Sequence, residues 1–292
     1  MKRINSIFNP NKITLMGRSK IVDTSSGKYV IKEKNKDIKS LYDYLDNRNF
    51  DNYPKIIDEF DNNYVYEYLS DSNVPINQKA TDMADLLASL HNKTVYFKSI
   101  VKDNVKEIYE NLDNNIIYLE NYYNDLYAKI ELEEYMTPSG YLLIRNRTRL
   151  NALIKYLKSE LEVWYKLMQD KEKERVVYCH NNLTIDHFIS KDKYYFISWD
   201  KYTIDSPILD LVNLYHNDFG KYDYSNFFTE YLNKFSLLPE EEKLFFITIS
   251  IPKIVYFEDD EMENTINIGK MIDYIDKTEK LIRPYYAVEK VE

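Results

Sequence analysis

The stretch Tyr178-Cys179-His180-Asn181-Asn182-Leu183-Thr184-Ile185-Asp186-His187, with Phe196-Ile197-Ser198-Trp199-Asp200 shortly after it, decides how this chain is read. Both pieces fall in two short predicted strands and a loop around residues 176–200, which interrupt a long helical run. They gather histidine, amide, carboxylate and hydroxyl side chains on few residues. If residues 197–200 continue as a strand, Asp200 shares a face with Ser198 about 6.6 Å further along. Asp186, His187 and Asp200 would together offer oxygen and nitrogen donors to a transition metal such as manganese or zinc.

Working outward from this stretch, residues 12–34 read as β structure: Ile13–Met16, a turn at Gly17, then Lys20–Asp23 and Lys28–Lys32 around Ser25-Ser26-Gly27. Asp37 opens a helix whose Ile38, Leu41, Tyr42 and Leu45 recur at i, i+3, i+4 and i+7. Further strands are expected at Lys55–Asp58 and Tyr64–Tyr68. After Pro75 the pattern turns helical. Met83, Leu86, Leu87 and Leu90 form one stripe, Val105 through Ile130 another, and a new helix starts at Thr137-Pro138 with the threonine as N-cap and the proline at N1. One more helix is expected over roughly 148–168, and helices resume from Leu209. The acidic run Glu258-Asp259-Asp260-Glu261 reads as a solvated loop or helix start.

Composition narrows the function classes. With 292 residues, 44% of them hydrophobic and 30% charged, the chain is globular and long enough for two lobes. A formal charge of −9 argues against nucleic acid as a partner, since phosphates are held by clustered Lys and Arg. The single cysteine, Cys179, suits a reducing compartment, so a cytoplasmic location is expected. The N-terminus begins basic without an apolar stretch of leader length, and no run reaches transmembrane length. Twenty-nine tyrosines against five glycines supply much amphipathic aromatic surface, of use in partner contacts, though a compositional bias explains them as well.

In this order, the helix ending Leu86-Leu87-Ala88-Ser89-Leu90-His91-Asn92-Lys93-Thr94, the 178–187 loop, Ile197-Ser198-Trp199-Asp200 and Pro207-Ile208-Leu209-Asp210-Leu211 resemble the aminoglycoside phosphotransferase and choline kinase family. In style the chain is most similar to the spore-coat kinase-like branch of Firmicutes. The resemblance implies an α+β, protein-kinase-like fold: a small antiparallel β lobe with one helix over residues 1–70, and a larger, mainly helical lobe over 71–292 that carries the catalytic and metal loops. It implies that Lys32, on Tyr29-Val30-Ile31-Lys32, faces nucleotide phosphates with Asp43 as its helix carboxylate, and that Glu67 and Tyr68 lie where adenine is cupped. His180 would brace the metal loop, and Asp210 would tie that loop to the following helix. His91 is read as a helix-terminal residue capping carbonyls.

Against the family pattern, Asn182 stands where the base Asp belongs, His187 replaces the metal-binding Asn, and Ser198 replaces the metal-binding Asp. An amide oxygen is too weakly basic to take a proton at neutral pH, and the loss of a general base typically costs ~10²–10⁴ in rate. At 198 a neutral hydroxyl replaces the carboxylate that anchors a divalent ion, and at 187 an imidazole is a poor magnesium ligand because magnesium prefers oxygen. The resemblance therefore implies a catalytically impaired protein without magnesium, with ATP, another nucleotide or a small metabolite as ligand, or a protein partner or coat assembly. The rival reading is an ATP-dependent phosphotransferase acting on an alcohol group through a non-standard metal site at Asp186, His187 and Asp200; a third is a coat protein without a ligand.

Overall fold

The computed structural model describes residues 9–286. Residues 1–8, which carry most of the basic N-terminus, lie outside them. The fold is α+β, with a small antiparallel sheet lobe and a larger helical one. By its internal contacts the chain forms two compact units, residues 1–96 with 177–236, and residues 97–176 with 237–292. The boundary expected near residue 70 falls inside the first.

The first unit begins with five strands, β1 (Lys12–Met16), β2 (Ser19–Thr24), β3 (Gly27–Glu33), β4 (Ile56–Phe60) and β5 (Asn63–Glu67), in the order β1-β2-β3-β5-β4. Each neighbouring pair is antiparallel, with Ile21 opposite Val30 and Ile31 opposite Val65. The period-2 alternation aims Val22, Ile31 and Val65 inward, where they pack with Ile13, Tyr29 and Phe60. The β1–β2 connection is two residues long and its Gly17 has φ +58°, a left-handed conformation glycine adopts without a Cβ penalty. Between β3 and β4 lies α1 (Ile38–Asn47), capped by Asp37, whose carboxylate accepts from the Ser40 amide. Its Ile38, Leu41, Tyr42 and Leu45 are buried.

α2 (Ile76–Thr94) packs on α7 (Tyr224–Lys234) with Met83, Leu87 and Leu90 buried. The remaining elements are β6 (Tyr96–Ser99), α3 (Lys102–Glu131), α4 (Pro138–Arg145), α5 (Arg147–Gln169), β7 (Lys173–Cys179), β8 (Phe188–Ser190), β9 (Tyr194–Phe196), β10 (Thr203–Asp205), α6 (Ile208–Asp218), α8 (Pro239–Ser250) and α9 (Glu261–Tyr286). β6 was not legible in the sequence: all four residues are exposed, so no alternation marks it. In the first unit, β10 pairs with the end of β7, setting Thr203 opposite Cys179, and β8 with β9 form a hairpin that holds Ile189 and Tyr195 against Leu69.

The second unit is helical, and its core follows the 3.6-residue period. Ile116, Leu119, Tyr123, Tyr127 and Ile130 of α3 face Leu150, Ile154, Leu157, Leu161 and Trp164 of α5. Thr137 caps α4 by accepting from the Gly140 amide, with Pro138 at N1. The acidic run at 258–261 is a helix start, since Asp260 accepts from the amides of Met262 and Glu263.

Candidate functional site

The loop after β7 is held by one face of α6. Asp210, Asn213, Asn217 and Asp218 are spaced three, seven and eight residues from the first and so line up along the helix. The Asp210 carboxylate accepts from the backbone amides of His180 (2.8 Å) and Asn181 (2.6 Å). Asn213 Nδ2 donates to Asn181 Oδ1 at 2.9 Å, and Asp218 accepts from the Ile185 amide at 2.5 Å and from Lys221 Nζ at 2.6 Å. Asp210 and Asp218 are almost wholly buried. His91 stands behind Asp210, with Nε2 3.2 Å from the carboxylate and Nδ1 2.7 Å from the Tyr231 hydroxyl. A carboxylate only accepts, so Nε2 carries the proton and Nδ1 accepts from Tyr231. This corrects the reading of His91 as a carbonyl cap: it anchors Asp210.

A cleft of about 360 Å³ opens between the sheet and this loop, within the first unit. Lys32, Glu67, Tyr68, Asp186, His187, Ser198 and Asp200 all line it. Lys32 Nζ donates to Ser198 Oγ at 3.0 Å and to Asp200 Oδ2 at 3.3 Å. Asp43 is not its partner. The period of α1 that buries Ile38, Leu41, Tyr42 and Leu45 turns Asp43 to solvent, and Tyr42 lines the cleft instead. Tyr42 is stacked on Tyr53 with ring centroids 3.7 Å apart, and burial raises its pKa. Glu67 Oε1 accepts from the Lys55 amide at 3.0 Å, and Lys28 Nζ lies 5.8 Å from the centre of the Tyr68 ring.

The expected strand through Ser198 and Asp200 ends earlier. β9 stops at Phe196, Ser198 is left-handed at φ +69°, and Trp199–Lys201 form a 3-10 turn. Non-glycine residues in this region cost on the order of 1–3 kcal/mol, with Asp and Asn better tolerated than Ser. Asn181 is likewise left-handed, at φ +55°. The turn is pinned by Trp199, whose indole N–H donates to the Phe196 carbonyl at 2.7 Å.

The donors lining the cleft suit magnesium poorly: His187 offers an imidazole where magnesium prefers oxygen, Ser198 a neutral hydroxyl, and the Lys32 ammonium lies against Asp200. Asp186, His187 and Asp200 do not converge either. Among the described residues, the His, Cys, Asp and Glu ligand atoms that gather in threes within 4.8 Å belong to His91, Cys179 and Asp210. Those groups are buried, and their bonds to protein partners already explain them. His187 Nδ1 is 2.5 Å from the Asn182 carbonyl and donates to it, and burial lowers the pKa of this ring.

His180 is fully buried and its Nε2–H donates to the Ile197 carbonyl at 2.8 Å. Its Nδ1 has no hydrogen-bond partner among the described residues. Burial depresses its pKa to about 4. The folded pKa lies below the unfolded value of about 6.5, so the unfolded chain takes up the proton first as pH falls. The contribution is fully present above pH ~6.5 and is lost as pH falls towards ~4, amounting to about 3 kcal/mol over that window. Denaturant melts of wild type and His180→Gln at pH 7 and pH 4.5 should show a markedly smaller pH dependence in the variant. Parallel losses in the two proteins would assign the acid sensitivity to other groups.

Sequence reasoning missed several residues that build the site. Asp218 is the second carboxylate gripping the loop. Asp71 receives the Ser190 amide at 2.9 Å and fixes the β8–β9 hairpin, and Tyr231 orients His91. The 3.6-residue spacing from Asp210 to Asp218 was the available signal for the first; the others are long-range contacts with no local signature.

The solved structures place this architecture. An aminoglycoside phosphotransferase from Alicyclobacillus acidocaldarius superposes with a TM-score of 0.68 at 13% identity, covering 100% of this chain and 97% of that one. The choline kinase LicA from Streptococcus pneumoniae matches with a TM-score of 0.48 at 14% identity, covering 96% and 97%. No family model and no curated protein matches the chain. The chain therefore has the protein-kinase-like fold seen in the aminoglycoside phosphotransferase, and at this identity the likeness is one of fold. No described helix is long and apolar enough to cross a membrane.

Proposed function

We propose that this chain is a catalytically impaired kinase-like protein whose cleft binds a small nucleotide-like ligand without transferring phosphate. The observation that carries the reading is the Lys32 ammonium, bonded to Asp200 and to Ser198 Oγ, at the position for which the family resemblance implies a metal-binding Asp. Asn182 in place of the base supports it from the chemical side, since its amide cannot accept a proton. Binding is supported by the lining itself. The paired part of β5 ends at Glu67, and beyond it Tyr68 and Leu69 line the cleft, where the backbone after the last sheet pair offers polar groups to a heterocycle.

The phosphotransferase reading, with a transition metal on Asp186, His187 and Asp200, rests on the same fold. It is disfavoured by Lys32, whose charge already neutralises Asp200. A coat protein that uses the fold only as a surface is the reading left if nothing enters the cleft. A thermal-shift series separates the three, using adenosine, ATP, ADP and GTP, each with magnesium, manganese or EDTA. A ligand at a hundredfold excess over its Kd adds about 2.7 kcal/mol to the folded state. Stabilisation independent of metal is the expected result; stabilisation that requires magnesium or manganese favours the transferase, and no shift with any compound favours the coat reading.

A further inference from the structure

The side chains lining the cleft include four carboxylates, on Glu67, Asp71, Asp186 and Asp200, and among the described residues one ammonium, on Lys32. Asp71 is offset from outside the lining by Lys79 Nζ at 2.6 Å. Lys32 is shared between Ser198 and Asp200, so its charge is already met. Glu67 and Asp186 remain, and the site is net negative. His187 brings no compensating charge near neutrality, because burial disfavours its protonated form.

Among the described residues, the connection above the cleft offers no cradle for a phosphate chain. The β1–β2 connection is the two-residue turn Gly17-Arg18, too short to present a row of amides to phosphate oxygens. Arg18 is exposed at its tip and does not line the cleft, although Met16 and Ser19 on either side do. The remaining walls are apolar or aromatic, with Val30, Tyr42, Tyr66, Ile189 and Ile197 among them. At about 360 Å³ the cleft is near the lower end of the range for small-molecule sites, roughly 300–1,000 Å³.

We infer that the cleft selects an uncharged, nucleoside-sized heterocycle over the phosphorylated forms of the same compound. This deepens the binding reading given above and rests on it. The mechanism is exclusion: a polyphosphate would bring several negative charges to a site whose single lysine is already neutralised, in surroundings where charge is weakly screened. A neutral ring loses nothing to that field and gains the apolar walls and contacts with the backbone that follows β5.

Titration calorimetry on the full chain tests this with adenosine, guanosine, AMP, ATP in EDTA and ATP with magnesium. A purine nucleoside should bind, and affinity should fall at least tenfold on going to the triphosphate, with or without magnesium. ATP binding as tightly as adenosine would overturn the selectivity while leaving the cleft a ligand site. Absence of binding by every nucleoside and nucleotide would overturn the selectivity and the binding reading together. Asp200→Asn removes a carboxylate and releases Lys32, so it should move the ATP-to-adenosine affinity ratio at least tenfold towards ATP. An unchanged ratio in a variant that melts like wild type would sink the charge-exclusion mechanism.

Discussion

Asp210→Ala is expected to lower folding stability by about 3–5 kcal/mol, and Asp200→Ala by about 1 kcal/mol or less. Both are carboxylates close to the same loop. Asp210 is fully buried and accepts from the His180 and Asn181 amides and from His91 Nε2, so its removal strands three donors in a dry interior. Each stranded donor costs ~1–3 kcal/mol, and the sum is tempered by partial relaxation. Asp200 has a side chain 35% exposed and one ion pair, to Lys32, so water takes over much of what the carboxylate did. Denaturant melts of the two variants against wild type make the comparison. Equal losses would mean that α6 does not anchor the 180–187 loop.

The second large effect comes from giving three positions the residues that the family resemblance implies there. The combined variant Asn182→Asp, His187→Asn and Ser198→Asp should gain magnesium-dependent affinity for ATP, because it supplies two oxygen ligands and gives Lys32 a competing carboxylate beside Asp200. Position 198 favours this change: its φ of +69° is better tolerated by Asp than by Ser. A carboxylate base placed at 182 is worth ~10²–10⁴ in rate once metal and acceptor are present. Calorimetry should show ATP binding that strengthens at least tenfold on adding magnesium in the variant and is insensitive to magnesium in wild type. The same weak, metal-independent profile in both would indicate that the cleft geometry, and not the residue types at 182, 187 and 198, sets the limit.

Much of the fold was legible because it is locally encoded. The period-2 runs of β2 and β3, the Asp37 cap, the Thr137-Pro138 helix start and the 3.6-residue stripe of α3 each carry their own signal. The order of the Leu-His helix, the 180–187 loop and the Asp210 segment added the tertiary arrangement of the first unit. The partner of Lys32 was not legible. Residue spacing in α1 allowed Asp43, but burial of Leu41, Tyr42 and Leu45 fixes the helix rotation and turns Asp43 outward. Ser198 and Asp200 are more than 160 residues from Lys32 along the chain, and their approach depends on a left-handed residue and a 3-10 turn that no periodicity announces. The same turn explains why a metal triad of Asp186, His187 and Asp200, plausible on a straight strand, does not assemble.

The account turns on whether this cleft moves phosphate. The direct measurement is transfer of the γ-phosphate of labelled ATP, with magnesium or manganese, to a panel of sugars, aminoglycosides, choline, ethanolamine and the protein itself, run beside Lys32→Met as the background. The account predicts that wild type and Lys32→Met are indistinguishable for every acceptor and either metal. Metal-dependent transfer by wild type that Lys32→Met abolishes would contradict it, and would make Asn182, His187 and Ser198 parts of a working active site.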